Sequence, residues 1–192
     1  MTKFLVLLAE GFEETEAVTV IDVLRRGGVE VSVCSLVGLM VEGSRRIVIQ
    51  ADQEIDGVSA ADYDGLYLPG GVKNARSLRD DARAQQLIRA FAAAGKTIAA
   101  ICAAPIALQR AGVLEGQRAT SNPDFEAEVR PAEYVRTPVV VSGHVLTSRA
   151  AGTALPFGLA ILKHVGLAKE AEAVSRAMLF DFLLAHSNEL SV

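Results

Sequence analysis

The run "KFLVLLA" at residues 3–9 constrains the fold more than any other stretch. It is apolar almost without interruption and shows no alternation, the pattern of a strand covered on both faces. Such a strand needs helices above and below it. The sequence supplies one at once over Glu14–Arg26, where Ala17, Val20, Ile21 and Leu24 recur at i, i+3, i+4 and i+7. Arg25 and Arg26 suit the last turn of that helix, and Gly27 or Gly28 stops it. "VEVSVCS" (29–35) reads as a second strand, and residues 40–56 as short β segments around the turn "EGSRR".

The alternation continues along the chain. "GLYLP" (65–69) is a third core strand, ended by Pro69, Gly70 and Gly71, and a helix is expected at about 81–94. "KTIAAIC" (96–102) is a fourth strand. A helix over 104–111 follows, with Pro105 in its first turn and Gly112 closing it. "VVVSGHVLTS" (139–148) reads as a hairpin turning at Gly143. The chain then gives helices at about 153–165 and 168–185, the second with Ala171, Val174, Met178, Phe182 and Ala185 along one side. Strands alternating with helices predict a single α/β domain over residues 1–192, with a mostly parallel sheet and helices on both faces.

Composition excludes several function classes. Net charge is −4 with no basic block, which argues against dedicated nucleic-acid binding. The apolar runs are too short to cross a bilayer, and the first leads into acids rather than a cleavage site, so it reads as a strand and not a leader. Two cysteines make neither a disulfide framework nor a zinc site, and a reducing cytoplasm is expected.

In parallel sheets, ligands bind beyond the carboxyl ends of the strands. Three pieces fall there: "AEGFEETE", "PGGVKN" and "CAAP". Cys102 stands at a strand-to-helix corner, either as a small core filler or as a nucleophile whose thiol pKa is lowered by a helix dipole. Glu13, Glu14 and Glu16 open the first helix and complement its dipole; any one of them can reach the thiol and share a proton with it. Spacing does not choose among the three. The N–H groups of "LPGG" and of Ala103 can hold an oxyanion. Cys34 lies inside a β run and reads as core. His144, His164 and His186 have no evident base role, and no cluster suits a metal.

Taken together, "LAEGFEETEAV", "YDGLYLPGG", "IAAICAAP" and "LTSRAAGTA" resemble the ThiJ/PfpI superfamily, in the branch that holds YajL and the parkinsonism-associated deglycase. The resemblance covers nearly the whole chain. It implies a flavodoxin-like sandwich, usually homodimeric, with a strained nucleophile elbow at Cys102 and its acid partner at Glu16. It also implies backbone donors at Gly70, Gly71 and Ala103. Arg26 and Arg45 correspond to arginines near the dimer interface and pocket. The resemblance further implies a cofactor-free activity on reactive α-dicarbonyls such as methylglyoxal, or on their early adducts. The alternative is a sensor of oxidative stress, or a redox-regulated chaperone, using an oxidisable Cys102. Three departures stand out. Ala103 follows the cysteine where peptidase relatives have histidine, which argues against peptidase activity. Asn122 in "TSNP" stands where close relatives carry a pocket histidine, and Ala151 replaces a proline.

Overall fold

A computed structural model describes residues 1–189. Strand β1 (Lys3–Leu8) leads through a short loop into α1 (Glu14–Arg26), whose bounds match the sequence expectation. Next come β2 (Glu30–Ser35), the small antiparallel pair β3 (Met40–Glu42) and β4 (Val48–Gln50), and β5 (Gln53–Glu54). Then follow β6 (Gly65–Leu68), α2 (Val72–Asp80), α3 (Ala82–Ala93), β7 (Thr97–Ile101) and α4 (Pro105–Arg110). The short β8 (Arg118–Ala119) and β9 (Glu133–Tyr134) pair with each other. The hairpin β10 (Val139–Ser142) and β11 (Val145–Ser148) turns at Gly143 as expected. Helices α5 (Ala154–His164), α6 (Ala168–Ala177) and α7 (Phe180–Ala185) complete the described chain.

The main sheet has seven strands in the order β10-β11-β7-β6-β1-β2-β5, and every pairing except β10 with β11 is parallel. Two apolar cores lie on its opposite faces. One joins Leu5, Leu7, Leu66 and Leu68 to Leu78, Ile88 and Phe91 of α2 and α3. The other joins Phe4, Val6, Leu8 and Tyr67 to Val20, Leu24 and Phe157 of α1 and α5. Alternate residues of β1 feed opposite cores, which is why its sequence shows no polar face.

The chain leaves β1 toward β2 on one side and later returns to β6 on the other. The strand order therefore reverses between β1 and β6. That is the crevice where an open parallel sheet binds ligands. The loops after β1 and β6 flank it, and the end of β7 lies one strand away.

Two expectations need correction. Helix α2 is absent from the sequence reading because "VKNARSLRD" offers only Ala75 and Leu78 as a buried apolar pair, its third buried residue being Asn74. The single helix expected over 168–185 is two: Leu179 adopts a left-handed conformation, φ 56°, between α6 and α7. No Gly or Pro marks the break, across which the Ser175 hydroxyl meets the Asp181 carboxylate. Phe182 is consequently 60% exposed rather than aligned with the apolar side.

Candidate active site

Cys102 follows β7 directly and has φ 63°, a left-handed conformation uncommon for any residue with a side chain. The surroundings hold it there. Its N–H donates to Ser148 O at 3.0 Å, and its carbonyl accepts from Asn122 N–H at 2.9 Å. The Ala104 N–H donates back to Ile101 O at 3.0 Å, tightening the corner before Pro105 opens α4. A bend of this kind turns the side chain out of the sheet toward the switch-point crevice. Cys102 is partly accessible, whereas Cys34 is fully buried in β2.

Glu16 lies in the first turn of α1 and has no exposed surface. Its Oε2 accepts the Gly70 N–H at 2.8 Å. Its Oε1 is buried without a hydrogen-bond partner. Burial first, with a contribution from the Glu13 charge, pushes the carboxyl up to about 7, against lowering contributions from Cys102 and the Gly70 N–H. Burial likewise pushes the Cys102 thiol up to about 12, reinforced by the Glu16 charge; the N–H groups of Ala103 and Gly71 pull the other way. The two groups perturb each other's protonation without meeting the geometry of a formed hydrogen bond. The expected lowering by a helix dipole is outweighed, and α4, spanning only Pro105–Arg110, offers a weak dipole. The chemistry instead belongs to the pair. Above about pH 7 the two groups together hold one negative charge, resting mainly on the carboxylate, and a single proton transfer moves it to the thiolate.

The three candidate acids have distinct places. Glu13 caps α1, its carboxylate accepting the Glu16 N–H at 2.7 Å. Glu14 turns away to the β3–β4 hairpin, where it accepts from Arg45 N–H and from Ser44 Oγ at 3.0 Å. Burial raises its pKa, but these bonds prevail and hold it below the usual value. Glu14 therefore anchors a turn rather than merely complementing the dipole. Only Glu16 is coupled to the thiol.

The expected backbone donors divide into two roles. Gly70 N–H is committed to Glu16 and so fixes the acid instead of facing substrate. The Gly71 and Ala103 N–H groups favour the anionic form of the Cys102 sulfur without a formed hydrogen bond to it. Gly71 has φ 88°, and a Cβ there would meet Glu13 N at 2.7 Å; a Cβ on Gly70 would meet the Cys102 Cβ at 2.7 Å. Both glycines are required by close approach.

Asn122 lies beside the elbow through its backbone, while its side chain caps the following 3-10 turn by accepting Asp124 N–H at 3.0 Å. Arg45 sits in the turn bound to Glu14. Arg26 is at the far end of α1, about 18 Å along the axis from its start, paired with Asp22 at 2.8 Å. The structure thus does not bring Arg26 to its own chain's elbow. Sequence reasoning missed two buried polar residues of the site. Tyr67 Oη donates to the Glu16 carbonyl at 3.0 Å, and Asn74 bonds to the loops after β1 and β6. Tyr67 reads as core from its strand, and Asn74 is hidden by the unrecognised α2.

A cleft of about 340 Å3 lined by Ile55, Asp56, Arg83 and Leu87 opens beside α3. It holds neither Cys102 nor Glu16, and Arg83 is already paired with Asp56 and Asp81. The strained Cys102 beside the buried Glu16, not cleft size, locates the candidate site. Among the described residues no cluster of three or more His, Cys, Asp or Glu could hold a metal ion, and no helix is long and apolar enough to cross a membrane.

Comparison with known proteins agrees with this geometry. The model of the DJ-1/PfpI family matches residues 2–164. The chain belongs to the DJ-1/PfpI family. It is 37% identical over 182 residues to Protein DJ-1alpha of Drosophila melanogaster, covering 93% of this chain and 84% of that one. It is 32% identical over 152 residues to a protein of Thermococcus kodakarensis named a deglycase, covering 78% of this chain and 91% of that one. The solved structure of oxidized Toxoplasma gondii DJ-1 superposes with a TM-score of 0.89 at 35% identity, covering 93% of this chain and 98% of that one. The flavodoxin-like α/β architecture is that of these DJ-1 neighbours.

Proposed function

We propose that this DJ-1/PfpI protein is a cofactor-free, cysteine-dependent enzyme that converts α-dicarbonyls such as methylglyoxal to hydroxy acids, or acts on their early adducts. The observation that carries this reading is the left-handed Cys102 beside a buried, unpartnered Glu16 oxygen. The deglycase name of one relative supports the substrate class. Proton transfer to Glu16 leaves the Cys102 thiolate, which adds to the aldehyde carbon. The carbonyl oxygen becomes an oxyanion near the Gly71 and Ala103 N–H groups and takes the proton back, giving a hemithioacetal. Glu16 then removes the proton from the former aldehyde carbon as the neighbouring ketone oxygen gains one, giving an enediol. The neighbouring carbon is protonated, and the hydroxyl on the first carbon gives up its proton to become the carbonyl. The hemithioacetal thereby becomes a thioester, with no external oxidant. Water cleaves the thioester, releasing lactate and restoring the thiol. Purified, metal-free protein is expected to consume methylglyoxal and form one lactate per turnover.

A second reading is favoured by the same two N–H groups. Because they favour the anionic sulfur, they would stabilise a Cys102 sulfinate as well as an oxyanion, which suits a sensor or redox-regulated chaperone. Absence of lactate, together with ready peroxide oxidation at Cys102, would select this reading.

We further infer a homodimer in a reducing cytoplasm. Val18 of α1 and Met40, Ile47 and Val48 of the neighbouring hairpin are exposed apolar residues around the Glu14–Arg45 contact, a surface suited to a second copy. In that arrangement Arg26 approaches the partner's pocket rather than its own. Light scattering at micromolar concentration is expected to give twice the 20.3 kDa chain mass; a monomer mass would refute it.

A further inference from the structure

Asn74 is fully buried in α2, and every donor of its amide is used. Oδ1 accepts the Ala9 N–H at 2.6 Å, holding the end of β1. Nδ2 donates to Pro69 O at 2.8 Å and to Gly70 O at 3.1 Å. Gly70 O also accepts the Glu13 N–H at 3.1 Å, so two donors hold it.

Peptide geometry gives these bonds a consequence for the site. In a trans peptide unit the C=O and N–H point in opposite directions, and the unit is planar. No peptide here is cis among the described residues. Pro69 C=O shares its unit with Gly70 N–H, and Gly70 C=O shares its unit with Gly71 N–H. Holding both carbonyls on one side therefore aims both amides to the other. The first of those amides is bonded to Glu16 Oε2, and the second favours the anionic form of the Cys102 sulfur. Glycines on their own leave this loop free to rotate either unit.

We propose that Asn74 is a positioning residue that sets the direction of the Gly70 and Gly71 N–H groups, and through them the protonation of the Cys102–Glu16 pair. This rests on the reading of that pair as the reactive centre. It touches neither substrate nor the reacting atoms. Its effect has a definite sign: losing the Gly70 N–H from the carboxylate and turning the Gly71 N–H away from the pair both disfavour the anion. The first ionisation of the pair then moves to higher pH.

The experiment is the pH dependence of iodoacetamide alkylation in Asn74→Ala, mapped by mass spectrometry to Cys102 and separated from Cys34. The midpoint for Cys102 is expected to rise by about half a pH unit or more. In the methylglyoxal assay kcat should fall about tenfold with KM within about twofold. Asn74→Ser, with one hydroxyl to donate to one carbonyl, should give an intermediate shift, and it replaces the alanine variant if that one does not fold. A folded variant whose alkylation profile overlays the parent's, even with a lowered Tm, would show Asn74 to be only structural and overturn the proposal. The alkylation readout needs no turnover. A parent protein inactive on methylglyoxal would overturn the proposed enzyme while leaving this inference to stand or fall on the profile.

Discussion

Cys102→Ser is expected to reduce methylglyoxal consumption below detection, while the variant stays folded. The substitution is nearly isosteric, and the corner is held by backbone bonds from Cys102 N–H to Ser148 O and from Asn122 N–H to Cys102 O, both independent of the sulfur. What changes is the nucleophile. A hydroxyl is far less acidic than a thiol in the same place, so the Glu16 carboxylate draws its proton off to a far smaller extent, and the hydroxyl is the poorer nucleophile. Cys34→Ser gives the contrast. Both thiols are pushed up to about 12 with burial as the first cause, but Cys102 alone of the two is coupled to the buried carboxylate of Glu16. Thiol pKa alone therefore does not separate the two cysteines. Access and a proton-accepting partner do. Cys34→Ser should retain nearly full activity, though burying a hydroxyl in the core costs about 1–3 kcal/mol of stability. The measurement is initial rate of methylglyoxal loss, with circular dichroism confirming the fold. Substantial turnover by Cys102→Ser would remove the nucleophile from the mechanism.

Most of the fold was legible because its strands are buried on both faces and its helices carry wide apolar stripes. Helix α1 was readable to the residue: its acids, apolar face, arginines and glycines all agree. Helix α2 was not, because a helix packed by Ala75, Leu78 and an amide shows no apolar period. The break at Leu179 was invisible because a left-handed leucine has no compositional signature. In the site, position after a strand was enough to single out Cys102. The choice of Glu16 over Glu13 and Glu14 came from family resemblance. The structure supplies its physical reason: Glu13 is bent back as a cap and Glu14 is tied to the hairpin, leaving Glu16 facing the elbow. The division of labour between Gly70 and Gly71 depends on which way each peptide plane faces, which side-chain patterning does not encode.

Glu16→Gln separates the acid's chemical role from its structural one, because the two effects have opposite signs. The amide can still accept Gly70 N–H, so the local geometry is kept. It cannot take or return a proton, and turnover should fall about 100-fold or more, the scale of positioned acid–base help. The near-neutral step in the pH profile of Cys102 alkylation should also disappear, since it belongs to the pair. Stability should move the other way. The Glu16 carboxyl titrates near 4.5 in the unfolded chain and about 7 in the folded one. Between those values the folded state binds more protons, so its contribution is most favourable below 4.5 and is lost as pH rises to 7. Above 7 the parent protein carries the full cost of a buried carboxylate, on the order of 3 kcal/mol. Glu16→Gln should therefore melt several degrees above the parent at pH 8 and close to it at pH 4.5. Glu14→Gln should behave in reverse. Its carboxylate is held below the usual value by Arg45 N–H and Ser44, so its replacement loosens the hairpin and lowers Tm at pH 8, with a much smaller loss of turnover. Thermal melts at the two pH values, beside steady-state rates for both variants, decide the assignment. A Glu16→Gln protein with parental rate, or one destabilised at pH 8, would mean that the buried acid is held for packing and that the proton passes through another group. A gain in stability joined to a loss of turnover is the result expected of a charge kept in the interior for chemistry at a cost to the fold.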